Sequence, residues 1–573
     1  MRRSSPIRNT NPAFFPMAAL PVVTPNCLIL TSAAHAVFLI ALILNPLTLH
    51  ACADADRERL TARAGQLETL RAGSDDWRKE QLFDGDRDSD LVSLSPPLHG
   101  AATSTSIAGV RAFHASALGD ITTKIHGSSR SDLSGISSSS SSRSEVRSSG
   151  KPQWPNRPHV FDLADFGGVG DGATDNTRAL QNAVYAVSTV ADKGGGQLYV
   201  PPGVYRTGSV NLTSAMTLFL ARGATILGNP DPALWPVIPP LPSYGRGREM
   251  PGPRYSSLLH CHNLTDVVIT GDNGVVDGAG AAWWQMKRAG VLKHSRGALI
   301  EAMWTSGVTV ANVTLRDAPA WALHPVYCDH VQVSNVTITA PPDSPNTIGI
   351  VIDSSEDVLI EGVTVLTGGG GISIKSGWDE YGLAFARPTH AVTIQDSHIE
   401  SPLATALSIG SEMSGGVHAL RCRHVSIAHS RAAFHLRTAP GRGGYIRDVL
   451  LEDVTMLNVT VALAFLPTCR SHPDDHFDPA ALPRVSNISF ASISGSLISE
   501  AGRLIGLAAA PFTDVSLSDV NLQLVEGGKG FSCQHVDGHA RNVSPAICPE
   551  LSAIEAGPLE CGGCSSFRGL GER

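Results

Sequence analysis

Charge is scarce in this 573-residue chain. Only 17% of its residues are Asp, Glu, Lys or Arg, the net charge is −8, and no basic block occurs, so nothing addresses nucleic acid. Asn-Gly and Asp-Gly pairs, the tight-turn signals of antiparallel hairpins, are scarce between Val308 and Val525, which argues against a hairpin-built sandwich. The glycine-rich stretch Gly167 to Gly172 lacks the lysine of a phosphate loop and the spacing of a dinucleotide site, so it reads as a structural turn. The pair Cys561 and Cys564 has no second ligand pair nearby, and a local disulfide is the better reading than zinc. No metal or cofactor is expected. What the chain does have is 56 glycines and 37 prolines, which with so little charge suit a turn-rich all-β protein.

Composition sets the ends apart. Arg2, Arg3 and Arg8 precede an apolar run from Cys27 to Leu49 that closes on Ala51-Cys52-Ala53. Residues 1–53 therefore read as a secretory signal peptide, with an uncleaved signal-anchor and type II membrane topology as the alternative. Residues 54–155 are polar and carry the serine run Ser137 to Ser142, too little apolar surface to offset ordering entropy, so a disordered linker is expected. A folded domain over 156–545 and a cysteine-containing tail over 546–573 complete the division. Eight cysteines follow Ala53: Cys261, Cys328, Cys422, Cys469, Cys533, Cys548, Cys561 and Cys564. An even count behind a secretory signal favours disulfides but leaves the pairing open. Glycosylation sequons begin at Asn211, Asn263, Asn312, Asn335, Asn458, Asn487 and Asn542 and fit export. Several of these asparagines also stand at a repeated turn position, where turn chemistry alone favours Asn.

A repeat organises the folded region. Units start at Val308, Val331, Val358, Val392, Val425, Val449, Ile488 and Val515, as in VTVANVTL and VQVSNVTI. Two alternating apolar positions, a two-residue break and a second alternating pair describe strands with one buried face and a corner between them. The spacing is too short for β-α-β units throughout and predicts coils of a parallel β-helix, each burying its ladder on the next. Upstream, Thr174 or Asp175 is placed to cap a helix whose apolar face is Ala179, Leu180, Ala183, Val184 and Val187. That helix would close the open end of the stack.

The longest motifs resemble one family. Asn346 to Tyr381 reads NTIGIVIDSSEDVLIEGVTVLTGGGGISIKSGWDEY, and WALHPVYC (Trp321 to Cys328), GSEMSGG (Gly410 to Gly416) and GRGGY (Gly441 to Tyr445) accompany it. Together they resemble the plant-type branch of the polygalacturonase-like glycoside hydrolase family 28, of pectin-lyase-like fold. The resemblance implies an all-β, right-handed parallel β-helix with an N-terminal capping helix. It also implies an acidic polysaccharide partner such as pectin, a monomer, and a secreted or cell-wall location.

The family's inverting chemistry uses the aspartates of NTDG and GDD, whose positions are Ile348, Gly369 and Gly370 here. Val351 takes the place of a further aspartate, while Asp353 persists. The R-I-K motif that grips a uronate becomes His435, Leu436 and Arg437. The resemblance then leaves Lys375, Trp378, His435, Arg437 and Tyr445 as substrate contacts. Asp353, Asp379 and Glu412 are candidate substitutes for the missing acids, each with a plain structural role open to it as well. Three functions follow: a non-hydrolytic binder of acidic polysaccharide, a hydrolase with relocated carboxylates, or a structural secreted protein.

Overall fold

Each repeat turns its corner on one residue in the left-handed region. Asn273, Asn312, Asn335, Gly362, Asp396, His424, Asp453, Ser492 and Asp519 all hold φ between 51° and 60°. Asn, Asp and Gly tolerate this conformation best, which is why seven of these nine corners are written with them, His424 and Ser492 being the exceptions. The computed structural model describes residues 156–553. Residues 1–53, expected as a signal peptide or signal-anchor, residues 54–155, expected as a linker, and the residues beyond 553, with Cys561 and Cys564, lie outside them.

The coils stack in parallel register as a right-handed β-helix. One aliphatic ladder runs Val308, Val331, Val358, Val392, Leu420, Val449, Ile488 and Val515, each residue hydrogen-bonded in register with the next. All of them are buried, and each such side chain contributes about 1.5–3 kcal/mol on leaving water. The unit expected at Val425 begins at Leu420 instead. Val425 follows the His424 corner and pairs with Val454, so that unit was offset by one strand. Arg421 and Arg423 alternate with the buried ladder pair Leu420 and Cys422, so the one-faced strand pattern was present one strand upstream of Val425.

Helix α1 (Thr177–Ser188) covers one end and buries Ala179, Leu180, Ala183, Val184 and Val187. Asn176 holds the cap position, its amide engaged with Val169, while Asp175 Oδ1 accepts from the Thr177 amide at 2.8 Å. At the other end Leu551–Ala553 pairs with Gly538–Ala540, so sheet continues past residue 545. Cys533 and Cys548 form a disulfide there. The expectation of disulfides fails at Cys261, Cys328 and Cys422, which are buried thiols; Cys469 is buried as well. The first three pack within the apolar core, where they behave as small hydrophobes. Among the described residues no helix is long and apolar enough to cross a membrane.

Six of the sequon asparagines, Asn263, Asn312, Asn335, Asn458, Asn487 and Asn542, hold left-handed corner conformations. Their side chains serve the corners: Asn487 donates to Asp448 at 2.7 Å and Asn542 to Asp519 at 2.8 Å. Asn211 ends a short strand instead.

Candidate functional site

One sheet of the coil forms the floor of a cleft. Its strands are β1 (Leu323–Val326), β2 (Ile348–Asp353), β3 (Gly370–Lys375), β4 (Thr405–Ile409) and the last part of β5 (Val417–Arg437). Ile350, Ile372, Leu407 and Phe434 point inward in register and anchor the floor to the core. The opposite faces then line up in rows. Ile348 pairs with Gly370, Val351 with Ser373, Ser373 with Ser408, Ser408 with His435, and Asp353 with Lys375. Residues far apart in sequence are thus brought side by side by register alone.

A loop between the short antiparallel strands Val237–Ile238 and Arg254–Tyr255 crosses this floor as a strap. Ser243 bonds the Tyr327 hydroxyl at 2.6 Å, and Tyr244 donates to Asp353. Arg246 donates to the Pro473 carbonyl at 3.1 Å, and Arg248 pairs with Glu412. Glu249 pairs with Arg296 and accepts from Asn346 at 3.2 Å. The strap is therefore fastened to coils on both sides of the floor.

The resulting cleft takes in about 660 Å³ of space, part of it open solvent. Arg248, Lys375, Arg431 and Arg437 supply four cations to its lining; Asn346, Ser373, Thr405 and Ser408 supply neutral polar groups; Trp321, Ile348 and Leu403 supply apolar surface. None of its lining residues carries a carboxyl group. The Ser373 and Ser408 hydroxyls are bonded to each other at 2.8 Å. Such a lining can hold oxyanions by charge-assisted hydrogen bonds, and a planar guanidinium can hold a carboxylate bidentately.

The expected site residues divide between this cleft and the scaffold behind it. Ile348, Gly369, Gly370, Lys375 and Arg437 line it. His435 lies beside Arg437, fully buried, 3.5 Å from the Thr405 hydroxyl. Burial, and then the charges of Arg437, Arg431 and Arg503, hold its imidazole well below the usual value, so it is neutral near pH 7. Tyr445 lies beyond the corner, at the start of Tyr445–Leu466, with Arg447 5.4 Å over its ring, and is outside the cleft lining. Trp378 is buried under the strap, with Arg248 4.6 Å over its ring and its Nε1 donating to the Ser471 carbonyl at 3.3 Å.

The three candidate replacement acids are all fully buried. Glu412 lies between Lys375 and Arg248. Burial pushes its carboxyl up, but the Arg248 and Lys375 charges outweigh that and hold it below the usual carboxylate range. Asp379 opens helix α2 (Asp379–Phe385), paired with Arg442 and, at 2.6 Å, with His472 Nδ1. Asp353 accepts from Tyr244 and, at 3.0 Å, from Ser354. Sequence reasoning missed Arg248, Arg431 and the cleft role of Trp321. Only Trp321 carried a signal, as the first residue of WALHPVYC; Arg248 sits in a loop with no periodicity.

The comparisons place this parallel β-helix and its cleft among known proteins. A profile of Glycosyl hydrolases family 28 matches residues 243–548, and one of Rhamnogalacturonase A/epimerase, pectate lyase-like, matches residues 160–249. A probable polygalacturonase of Vitis vinifera is 42% identical over 411 residues, 71% of this chain and 83% of that protein. The exopolygalacturonase of Thermotoga maritima has a TM-score of 0.56 at 26% identity, over 67% of this chain and 93% of that one. The polygalacturonase of Erwinia carotovora shares the fold, with a TM-score of 0.53 at 19% identity over 68% and 99%. The chain belongs to glycosyl hydrolases family 28.

Proposed function

We propose that this protein binds acidic, galacturonate-containing polysaccharide of the pectin type in its cationic cleft and does not cleave it at a useful rate. The observation that carries this reading is the lining: four cations and no carboxyl group. Inverting hydrolysis of a glycoside needs one carboxyl to protonate the leaving oxygen and another to activate water, about 6.5–9.5 Å apart. Losing one such group costs about 10²–10⁴ in rate. The relatives named polygalacturonases supply the substrate class, and Arg431 and Arg437 add positive charge to the lining beyond Arg248 and Lys375, which pair with Glu412. Recruitment of Glu412 or Asp379 as a new acid is disfavoured, since each is buried and engaged in ion pairs. Export to the extracellular space or cell wall, and glycosylation at exposed sequons, belong to the same reading.

The test is reducing-end release from polygalacturonate over long incubation at several pH values, beside calorimetric binding of oligogalacturonates. Binding without release is expected. Release that disappears in Glu412→Gln or Asp353→Asn would replace this reading with an active hydrolase using relocated acids.

A further inference from the structure

The two edges of the cleft floor differ in chemistry. Lys375 and Arg437 close strands β3 and β5, and Arg248 joins Lys375 on Glu412, so the edge at the strand ends is cationic. The edge at the strand starts is mostly apolar. Ile348 opens β2, Gly369 precedes Gly370 at the opening of β3, and Leu403 and Ala404 lead into Thr405 at the start of β4. Register sets Ile348 beside Gly370, and neither glycine carries a side chain, so the cleft reaches Ile348 directly. Leu403 is 59% exposed, an aliphatic side chain left open to the cleft. Arg431, one residue before the Ala432 that pairs with Thr405, is the cation on this side. The neutral polar side chains here are turned elsewhere: Asn346 donates to Glu249 at 3.2 Å, and the Thr405 hydroxyl lies 3.5 Å from His435 Nδ1.

A polymer lying along the stack meets a new coil about every 4.8 Å and keeps the same two edges on its flanks. Its carboxylates find counter-charges at the strand ends. A carboxylate turned to the other edge gives up water against Ile348 and Leu403, with little but Arg431 to replace it. An uncharged methyl ester or acetyl group gains by the same contact, because it removes apolar surface from water. We propose that this edge selects partly esterified acidic glycan: free carboxylates pair at the strand ends, and a methyl ester or acetyl substituent packs on Ile348 and Leu403. The inference rests on the acidic-glycan reading above and adds the substitution pattern to it. Ile348, Gly369 and Gly370, the positions at which acids were expected, then form a receptor for an uncharged group.

The experiment is calorimetric titration of the purified protein with oligogalacturonates of one defined length in four forms. These are the free acid, the oligomer with alternate carboxyls methyl-esterified, the fully methyl-esterified oligomer, and the free acid bearing O-acetyl groups. The alternately esterified form should bind about fourfold tighter than the free acid, the worth of one buried methyl group. The fully esterified form should bind about tenfold more weakly, since its charge-assisted bonds are gone. A gain with the acetylated form in place of the methyl ester assigns the edge to an acyl group and supports the proposal equally. Ile348→Asp sets a carboxylate on the edge and should erase the advantage of the esterified over the acid form. Leu403→Ser, at an exposed position, should reduce the same ratio and serves if the first variant folds poorly. Affinity that falls steadily with esterification and gains nothing from acetylation overturns the proposal and leaves cleft binding standing. An advantage that survives both variants overturns it as well. No binding of any form overturns both readings.

Discussion

The Gly369 amide donates to the Thr347 carbonyl at 3.1 Å, and the two backbones lie so close that a Cβ at Gly369 would collide with Asn346 and Thr347. Gly370 differs. A Cβ there would meet only Ile348 and the Thr405 carbonyl, at 3.5 and 3.6 Å, although its φ of 146° is strained for any other residue. A side chain at Gly369 would thus meet packed backbone, while one at Gly370 has room, so placing acids at both positions is more than a matter of side chains.

Gly369→Asp should therefore destabilise by about 2–4 kcal/mol, the scale of enforced strain in a packed site. Ile348→Asp with Gly370→Asp should cost less, about 1–3 kcal/mol for the backbone at Gly370. Denaturant titration of the two variants orders them. Reducing-end assays on the folded double variant should show a gain over the parent chain. Equal stability of the two would contradict the crowding at Gly369.

The repeat was legible because burial on a parallel coil writes its own pattern. Val308 and Val331 alternate with polar neighbours, and Asn312 and Asn335 mark corners that need a left-handed residue. Ile348, Gly370, Lys375 and Arg437 were found because motif positions and ladder register coincide. The strap was not legible. Arg248 meets Glu412 from a loop with no period, and nothing local encodes such a pairing. The fate of a polar residue also escaped the sequence: Trp378 is buried beneath the strap and Tyr445 stands round a corner, which depends on what covers them.

Arg437→Ala should weaken oligogalacturonate binding about 10- to 100-fold, the worth of a charge-assisted hydrogen bond. Tyr445→Ala, outside the cleft lining, should change it less than about twofold by the same energetic scale. Titrations at low and high ionic strength should show affinity falling with salt in the parent chain and less steeply in Arg437→Ala. Equal effects of the two substitutions would move the uronate site toward the Tyr445 corner.

Acid should unfold the strap region in a defined window. Burial raises the Glu249 carboxyl, but the Arg296 charge and the bonds from Arg296 and Asn346 outweigh it and bring it from 4.5 to about 2. A depressed carboxyl contributes stability above its unfolded value that is lost as pH falls through its folded one. Thermal midpoints should hold down to pH 4.5 and then fall toward pH 2, with about 3 kcal/mol at stake for this group. Glu301 and Glu412 are shifted in the same direction and steepen the fall. In Glu249→Gln the acid limb should flatten, while stability near neutral pH drops because buried Arg296 loses its counter-charge.

Arg442 and Asp379 form a pair with both side chains fully buried. Arg442 also donates to the Ser411 carbonyl at 2.8 Å and the Ser471 carbonyl at 2.7 Å, so one guanidinium joins three loops. Removing one partner of a buried pair strands the other, which costs about 3–5 kcal/mol. Asp379→Asn and Arg442→Ala should each lose stability on that scale, and Arg442→Lys should rescue only part of it, since an ammonium cannot reproduce the planar fork. Binding measured per folded molecule should stay near the parent value, because neither residue lines the cleft. Were Asp379 a relocated proton donor, Asp379→Asn would in addition abolish sugar cleavage by the molecules that remain folded, beyond what the lowered denaturation midpoint accounts for. The two measurements together therefore separate a scaffold carboxylate from a chemical one.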